Sequence, residues 1–262
     1  MIVTLGDLLL DVIVRLEQPL ATGADANAVT RLGAGGQAAN VAAWVAELGG
    51  EARFVGKRAA DEAGETAARA LQRYGVEVRG PVVEGRTGTI VSLVDVAGDR
   101  TMASDRGVSP DLRPDELEPG WFGGEDLHLP AYSLVRDPIA DAAIAAAEQA
   151  ELVAVDLSSW SAIRDFGPQR LRDRLRTLDP DVVFANEAED EAIGGRIPGP
   201  MWIVKLGPRG ARFGEDTSPA REAHVVDTTG AGDAFAAGWH LGGAELALEA
   251  AARCVAKLGS MP

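Results

Sequence analysis

The chain has 262 residues, 46% of them hydrophobic and 25% charged, which is material for one large α/β domain with an ample core. With 40 acidic against 25 basic residues its net charge is −15, which excludes nucleic acid and anionic membranes as partners because either needs a basic face. One cysteine, Cys254, and three histidines leave neither an intrachain disulfide nor a zinc cluster.

Met1 to Leu5 reads as a short apolar strand ending at Gly6-Asp7, and Asp11 follows Leu8-Leu9-Leu10. These acids interrupt the first apolar run, so no signal peptide is expected and the cytoplasm is the expected compartment. Polar residues just past the carboxyl end of a strand lie in the crevice of an open α/β sheet. Asp11 is therefore a substrate-binding candidate, the alternative being a solvated turn residue. Val12, Ile13, Val14 and Leu16 suggest a second strand and Ala28 to Leu32 a third. No helix connects them, so this pair is expected to leave the main body as a flap.

Gly33-Ala34-Gly35-Gly36-Gln37-Ala38-Ala39-Asn40 opens a helix whose apolar face is Val41, Trp44, Val45 and Leu48. Gly35 and Gly36 let a ligand approach the backbone, while Gln37 and Asn40, about one turn apart, offer amide groups to hydroxyls. Close helix packing is the competing explanation. The third glycine of a dinucleotide fingerprint is missing, which argues against a nicotinamide-dependent oxidoreductase.

Ala52 to Val55 is expected as a strand and Glu62 to Tyr74 as a helix, followed by a hairpin of Thr89 to Val94 and Arg100 to Ala103 turned at Ala97-Gly98-Asp99. The two helix-free hairpins are expected to pair into a small sheet that acts as a lid and excludes water. From Asp126 strand and helix alternate: strands Leu127 to Leu129, Leu152 to Asp156, Val182 to Ala185 and Trp202 to Leu206, with helices Pro138 to Gln149, Pro168 to Leu178 and one from Glu187. Short links between them imply a parallel sheet covered on both faces. Asn186, Glu187 and Glu189 fall at the crevice, either arranging water around Mg²⁺ or serving as ordinary first-turn helix acids. Lys205, Gly207 and Gly210 follow the next strand and offer a cation and glycines to phosphates, or Lys205 is a surface ion-pair residue.

Val225-Val226 suits a strand, Gly230-Ala231-Gly232 a turn, and Ala234 to Leu241 a helix. Amides at such a junction have no intrahelical partner and suit an anion. Asp233 places a carboxylate beside them, as a base for a hydroxyl attacking phosphorus would be placed. A capped tight turn is the plainer explanation of the same residues.

Taken in order, these segments resemble the ribokinase-like carbohydrate kinases, the PfkB family, over nearly the whole length. Asp227-Thr228-Thr229-Gly230-Ala231-Gly232-Asp233 is similar to the family's D-T-x-G-A-G-D signature, Gly35-Gly36-Gln37-Ala38-Ala39-Asn40 to its G-G-x-x-x-N, and Asn186 with Glu189 to its N-x-x-E. The resemblance implies one kinase domain over residues 1–262: a central, mostly parallel sheet between helices, with lid segments near 12–33 and 86–107. It implies transfer of the ATP γ-phosphoryl group to a sugar or nucleoside hydroxyl. Asp233 would be the base, and the amides of Gly230, Ala231 and Gly232 the anion hole. Asp11, Gly36 and Asn40 would hold acceptor hydroxyls. Asn186 and Glu189 would position Mg²⁺ through water, and Lys205, Gly207 and Gly210 would lie along the nucleotide. Asp227 and the Thr229 carbonyl match positions that bind K⁺ in some relatives.

Arg15, Arg31, Arg86, Arg100 and Arg106, in or beside the lid strands, are candidates to contact a phosphorylated acceptor or are edge charges. A homodimer joined through the lids would cover the exposed sheet. The interval from Asn186 to Lys205 is shorter than the family pattern, which motivates a second reading: a sugar or nucleoside binding protein on a kinase scaffold with weakened ATP use.

Overall fold

The structure is a computed structural model and describes residues 1–97 and 100–262; the expected turn at Gly98-Asp99 lies outside the described residues. The first part of the chain forms β1 (Ile2–Leu5), β2 (Leu9–Leu16), β3 (Ala28–Gly35), α1 (Gln37–Glu47), β4 (Ala52–Val55) and β5 (Arg58–Ala59). Next come α2 (Glu62–Gln72), β6 (Glu77–Arg79), β7 (Val82–Val83), β8 (Thr87–Val94), β9 (Arg100–Gly107) and β10 (Asp126–Pro130). Then follow α3 (Ile139–Ala147), β11 (Leu152–Asp156), α4 (Trp160–Phe166), α5 (Pro168–Leu178), β12 (Val182–Asn186) and α6 (Glu187–Ile193). The chain closes with β13 (Met201–Lys205), β14 (Ala211–Phe213), β15 (Asp216–Ser218) and α7 (Ala231–Val255).

The main sheet has nine strands in the order β15-β14-β13-β12-β11-β10-β1-β4-β6. All neighbours from β13 to β6 are parallel, and β14 and β15 continue antiparallel at one edge. Residues alternate between its two faces with the period of a strand. Ile2, Phe54, Val182, Phe184 and Ile203 join one core with Trp44 and Phe235. Their neighbours Val3, Val55, Val183, Ala185 and Val204 join the other with Leu129, Leu171 and Leu175. Each fully buried Phe or Leu contributes about 1.5–3 kcal/mol, so the two cores together fix the register of every central strand.

Small residues bring the helices close to the sheet. Ala38, Ala39, Ala42 and Ala43 of α1 and Ala234, Ala236 and Ala237 of α7 are all buried. The last helix breaks at Gly242-Gly243, where the backbone leaves helical φ and ψ.

The two helix-free hairpins form one separate four-stranded sheet in the order β3-β2-β8-β9. Within it β2 runs antiparallel to β3 and parallel to β8, which is antiparallel to β9. This sheet is the lid. Its strands are longer than the apolar runs suggested, and β2 begins at Leu9, so Asp11 sits inside a strand opposite Gly33.

Val225 and Val226 are not a strand. Their segment is tied to the end of α7, where Val255 O accepts hydrogen bonds from Val226 N (2.8 Å) and Asp227 N (3.3 Å). Both side chains are exposed, and β15 pairs only with β14, so the apolar pair joins no sheet edge.

Candidate active site

After β1 the chain adds β4 and β6 on one side and β10 to β13 on the other. That reversal opens a crevice above the carboxyl ends of β1 and β10. Asp7, Asp156, Asn186 and Lys205 stand at the ends of the strands around it, and the lid lies over it.

A cavity of 230 Å³ occupies the space between lid and crevice, lined among others by Asp11, Gly36, Gln37, Asn40, Arg106 and Asp233. Gly36 caps α1 at φ +100, and a Cβ there would stand 2.2 Å from the Asp7 carbonyl oxygen, so only glycine allows the turn that aims α1 at the cavity. The Asp11 carboxylate lies directly over Gly35, where a Cβ would stand 2.1 Å from its Oδ1. The first turn of α1 delivers both amides. Asn40 Nδ2 donates to Asp233 Oδ2 at 2.7 Å, and the Gln37 side chain bonds the same carboxyl group. The Gln37 Oε1 atom is buried without a hydrogen-bond partner among the described residues.

Asp233 lies in the first turn of α7, and burial pushes its carboxyl up to about 7. Hydrogen bonds from Asn40 and Gln37 and the charge of Lys205 pull the other way, while Asp156 adds to the upward shift. A carboxylate poised near neutrality takes and returns a proton readily.

The turn before it is built around Gly230, at φ +76. The first four-residue bond of the helix runs from Ala234 N to Gly230 O (2.9 Å), so the amides of Gly230 and Gly232 precede the intrahelical ladder. The Ala231 N–H is instead turned toward Thr228 O at 3.4 Å, a weak bond.

Across the turn lies a second, largely apolar cavity of 450 Å³, lined by Lys205, Gly207, Gly210, Val225, Phe235 and Leu248 and by Thr228, Ala231 and Gly232. Lys205 is no surface residue: Nζ donates to the buried Asp156 at 2.5 Å and stands 3.1 Å from where a Cβ on Gly232 would be. Burial alone would lower its pKa, but Asp156 and Glu189 outweigh it and hold the ammonium above its ordinary value. Asn186 and Glu189 form a reciprocal capping box on α6: Glu189 Oε2 accepts from Asn186 N and Oε1 from Asn186 Nδ2, both at 2.8 Å. Burial pushes the Glu189 carboxyl up.

Among the described residues there is no group of three carboxylates, histidines or cysteines able to enclose a metal. With both Glu189 oxygens engaged by Asn186, the pair suits Mg²⁺ through bridging water. Asp227 and Thr229, the K⁺ candidates, already hold one another in the turn. Asp227 Oδ1 accepts from Thr229 N (2.9 Å) and Oγ1 (2.6 Å), its Oδ2 accepts from Gly259 N (2.9 Å), and the Thr229 carbonyl accepts from Cys254 Sγ (3.3 Å).

Of the lid arginines, Arg106 reaches the cavity between lid and crevice; it is ion-paired with Asp7 and lies over the Tyr132 ring at 4.0 Å. Arg86 pairs with Asp105 at the surface, Arg31 is exposed, and Arg15 lines a separate hollow at the base of the lid. In the sequence Asp7 and Asp156 mark only the ends of strands, yet in the structure they stand where Asn186 does, around the crevice. Ser260, whose hydroxyl donates to Asn40, left no signal 220 residues away. No helix among the described residues is long and apolar enough to cross a membrane.

The chain is 33% identical over 257 residues to the ATP-dependent ribose-1-phosphate kinase of Halopiger xanaduensis, covering 93% of this chain and 86% of that one. To the fructokinase of Klebsiella pneumoniae it is 32% identical over 230 residues, 78% of this chain and 75% of the relative. The crystal structure of adenosine kinase from Sinorhizobium meliloti superposes with a TM-score of 0.87 at 25% identity, covering 100% of this chain and 95% of that one. With the pfkB family carbohydrate kinase profile matching residues 1–261, the chain belongs to that family of kinases.

Proposed function

We propose that this carbohydrate kinase transfers the γ-phosphoryl group of ATP to a hydroxyl of a small sugar or related polyol or nucleoside, with Asp233 as general base. The observation that carries the reading is a shared wall. The turn from Thr228 to Asp233 lines the polar cavity on one side with Thr229, Gly230 and Asp233, and the apolar cavity on the other with Thr228, Ala231 and Gly232. A hydroxyl held in the first and a nucleotide in the second meet across the amides of Gly230 and Gly232.

Asp233 takes the hydroxyl proton as the oxygen attacks phosphorus, and the bond to the departing ADP oxygen breaks. Asn40 and Gln37 orient the Asp233 carboxylate, and Gln37 Oε1 and Asp11 accept from further hydroxyls of the acceptor. The amides of Gly230 and Gly232 and the Lys205 ammonium stand where charge collects on the transferring group, and one preorganised donor is typically worth about 2.7–4 kcal/mol. Bound Mg²⁺ supplies charge neutralisation along the phosphates; Asn186 and Glu189 would hold its waters. No step is assigned to a monovalent cation.

The lid also supports a second copy as partner. Val12 pairs with both Leu32 and Val91, and Val14 with Leu93, on the face opposite the cavity-lining Asp11, Ile13, Ile90 and Ser92. Leu32 on that face is 67% exposed.

A screen of sugars, sugar phosphates and nucleosides for ADP release with ATP and Mg²⁺ tests the function. Ribose 1-phosphate and fructose, the acceptors in the names of the two relatives, head the screen. Binding of an acceptor by calorimetry, with neither ATP binding nor turnover, would assign the chain to binding and not transfer.

A further inference from the structure

Asn40 is held on both sides of its amide. Its Nδ2 donates to Asp233, and its Oδ1 accepts from the Ser260 hydroxyl at 3.2 Å. Asn40 and Ser260 are both buried, at 7% and 5% exposure, so neither bond is replaced by water at low cost. Ser260 is itself fixed. The Trp44 indole Nε1, one helical turn beyond Asn40 on α1, donates to the Ser260 carbonyl at 2.8 Å, and the Ser260 backbone packs against Gly230, where a Cβ would stand 2.6 Å from its Cα. A single residue thus touches the acceptor-side helix and the turn of the anion hole together.

We propose that Ser260 is a positioning residue for phosphoryl transfer: with its carbonyl anchored by Trp44, its hydroxyl satisfies Asn40 Oδ1 and holds the amide in place with Nδ2 on Asp233. The inference rests on Asp233 being the base. An asparagine amide is nearly symmetric in shape, so only its partners select which end faces a carboxylate. An ionised Asp233 needs the donor end. That leaves Oδ1 pointing away, buried, and costly to leave unpaired unless a hydroxyl donates to it. Without the Ser260 hydroxyl, Oδ1 is left buried and unpaired, so the amide loses its fixed position, the Nδ2 bond to an ionised Asp233 weakens, and the protonated, inactive carboxyl is favoured.

The test is the titration of Asp233 by carboxyl-carbon NMR in the wild type, Ser260→Ala and Trp44→Phe, with Asp233→Asn identifying the signal, alongside the pH dependence of kcat/KM. Ser260→Ala is expected to move both the titration and the acid limb of the rate upward by about one pH unit, a tenfold loss of rate below the limb. Trp44→Phe removes the indole donor together with part of a buried ring, and moves them the same way by less. It also keeps the test open if Ser260→Ala does not fold. Unchanged titration in both folded variants overturns the positioning role. A shifted titration with no turnover in the wild type supports the positioning role and sinks the catalytic reading on its own.

Discussion

Asn40 Nδ2 and Asp233 Oδ2 meet at 2.7 Å across 193 residues of chain, joining the first turn of α1 to the first turn of α7. The bond brings the two glycine-led helix starts together at one carboxylate. Because burial outweighs this bond and raises the Asp233 carboxyl to about 7, kcat/KM is expected to rise with pH through that value and level off above it. Asp233→Asn keeps the shape and removes the proposed base. It should lower kcat by about 10²–10⁴-fold with acceptor binding retained; pH–rate profiles and acceptor calorimetry check this.

The same burial makes Asp233 a stability liability. The unfolded carboxyl releases its proton near pH 3.9, whereas the folded one holds it to about 7. Between these values the folded state binds more protons, so stability falls as pH rises through the window. Asp233→Asn should therefore melt higher than the wild type at pH 8 and match it near pH 4, by about 2–4 °C for each kcal/mol relieved. Thermal melts at the two pH values decide the matter; equal differences at both would count against a buried ionised carboxylate.

Gly230 and Gly232 differ in what surrounds them. A Cβ on Gly230 meets the Ser260 backbone at 2.6 Å in a left-handed conformation, whereas one on Gly232 meets the tip of Lys205 at 3.1 Å. Gly230→Ala is expected to lose about 1–2 kcal/mol from the conformation alone and more from the clash. Gly232→Ala should lose less stability while still lowering kcat. Urea midpoints for both, set beside their rates, check the order.

Gln37 Oε1 is buried and unpartnered among the described residues in the cavity proposed for the acceptor. Gln37→Ala should raise the acceptor KM about tenfold, the worth of one good hydrogen bond, and leave the ATP KM unchanged. An equal rise in both would show that Gln37 acts through the turn instead of the acceptor.

Asp156 and Lys205 form a buried pair. Asp156→Asn leaves the ammonium underneutralised and should cost about 3–5 kcal/mol, of which Lys205→Met in the same chain recovers most. Denaturation curves of the two single variants and the double variant measure the coupling.

Local patterns were enough for much of this. Helices with an apolar face and central strands with apolar runs showed themselves, because their periods are set by backbone geometry. β6, β14 and β15, at three residues each, are too short to carry a period. Val225-Val226 carried the wrong one, since β-branched residues suit any extended segment and only a free sheet edge makes a strand.

The sequence by itself determined that a glycine turn, a helix start and Asp233 stand together, because those residues are neighbours and their conformations are local. It likewise determined that Gln37 and Asn40 share a helix face. Only the tertiary structure decided that Asp233 is buried to the point of a raised pKa, that Lys205 is paired inward with Asp156, and that Ser260 closes on Asn40. Burial and long-range pairing depend on which surfaces the sheet order brings face to face, and no spacing along the chain records that.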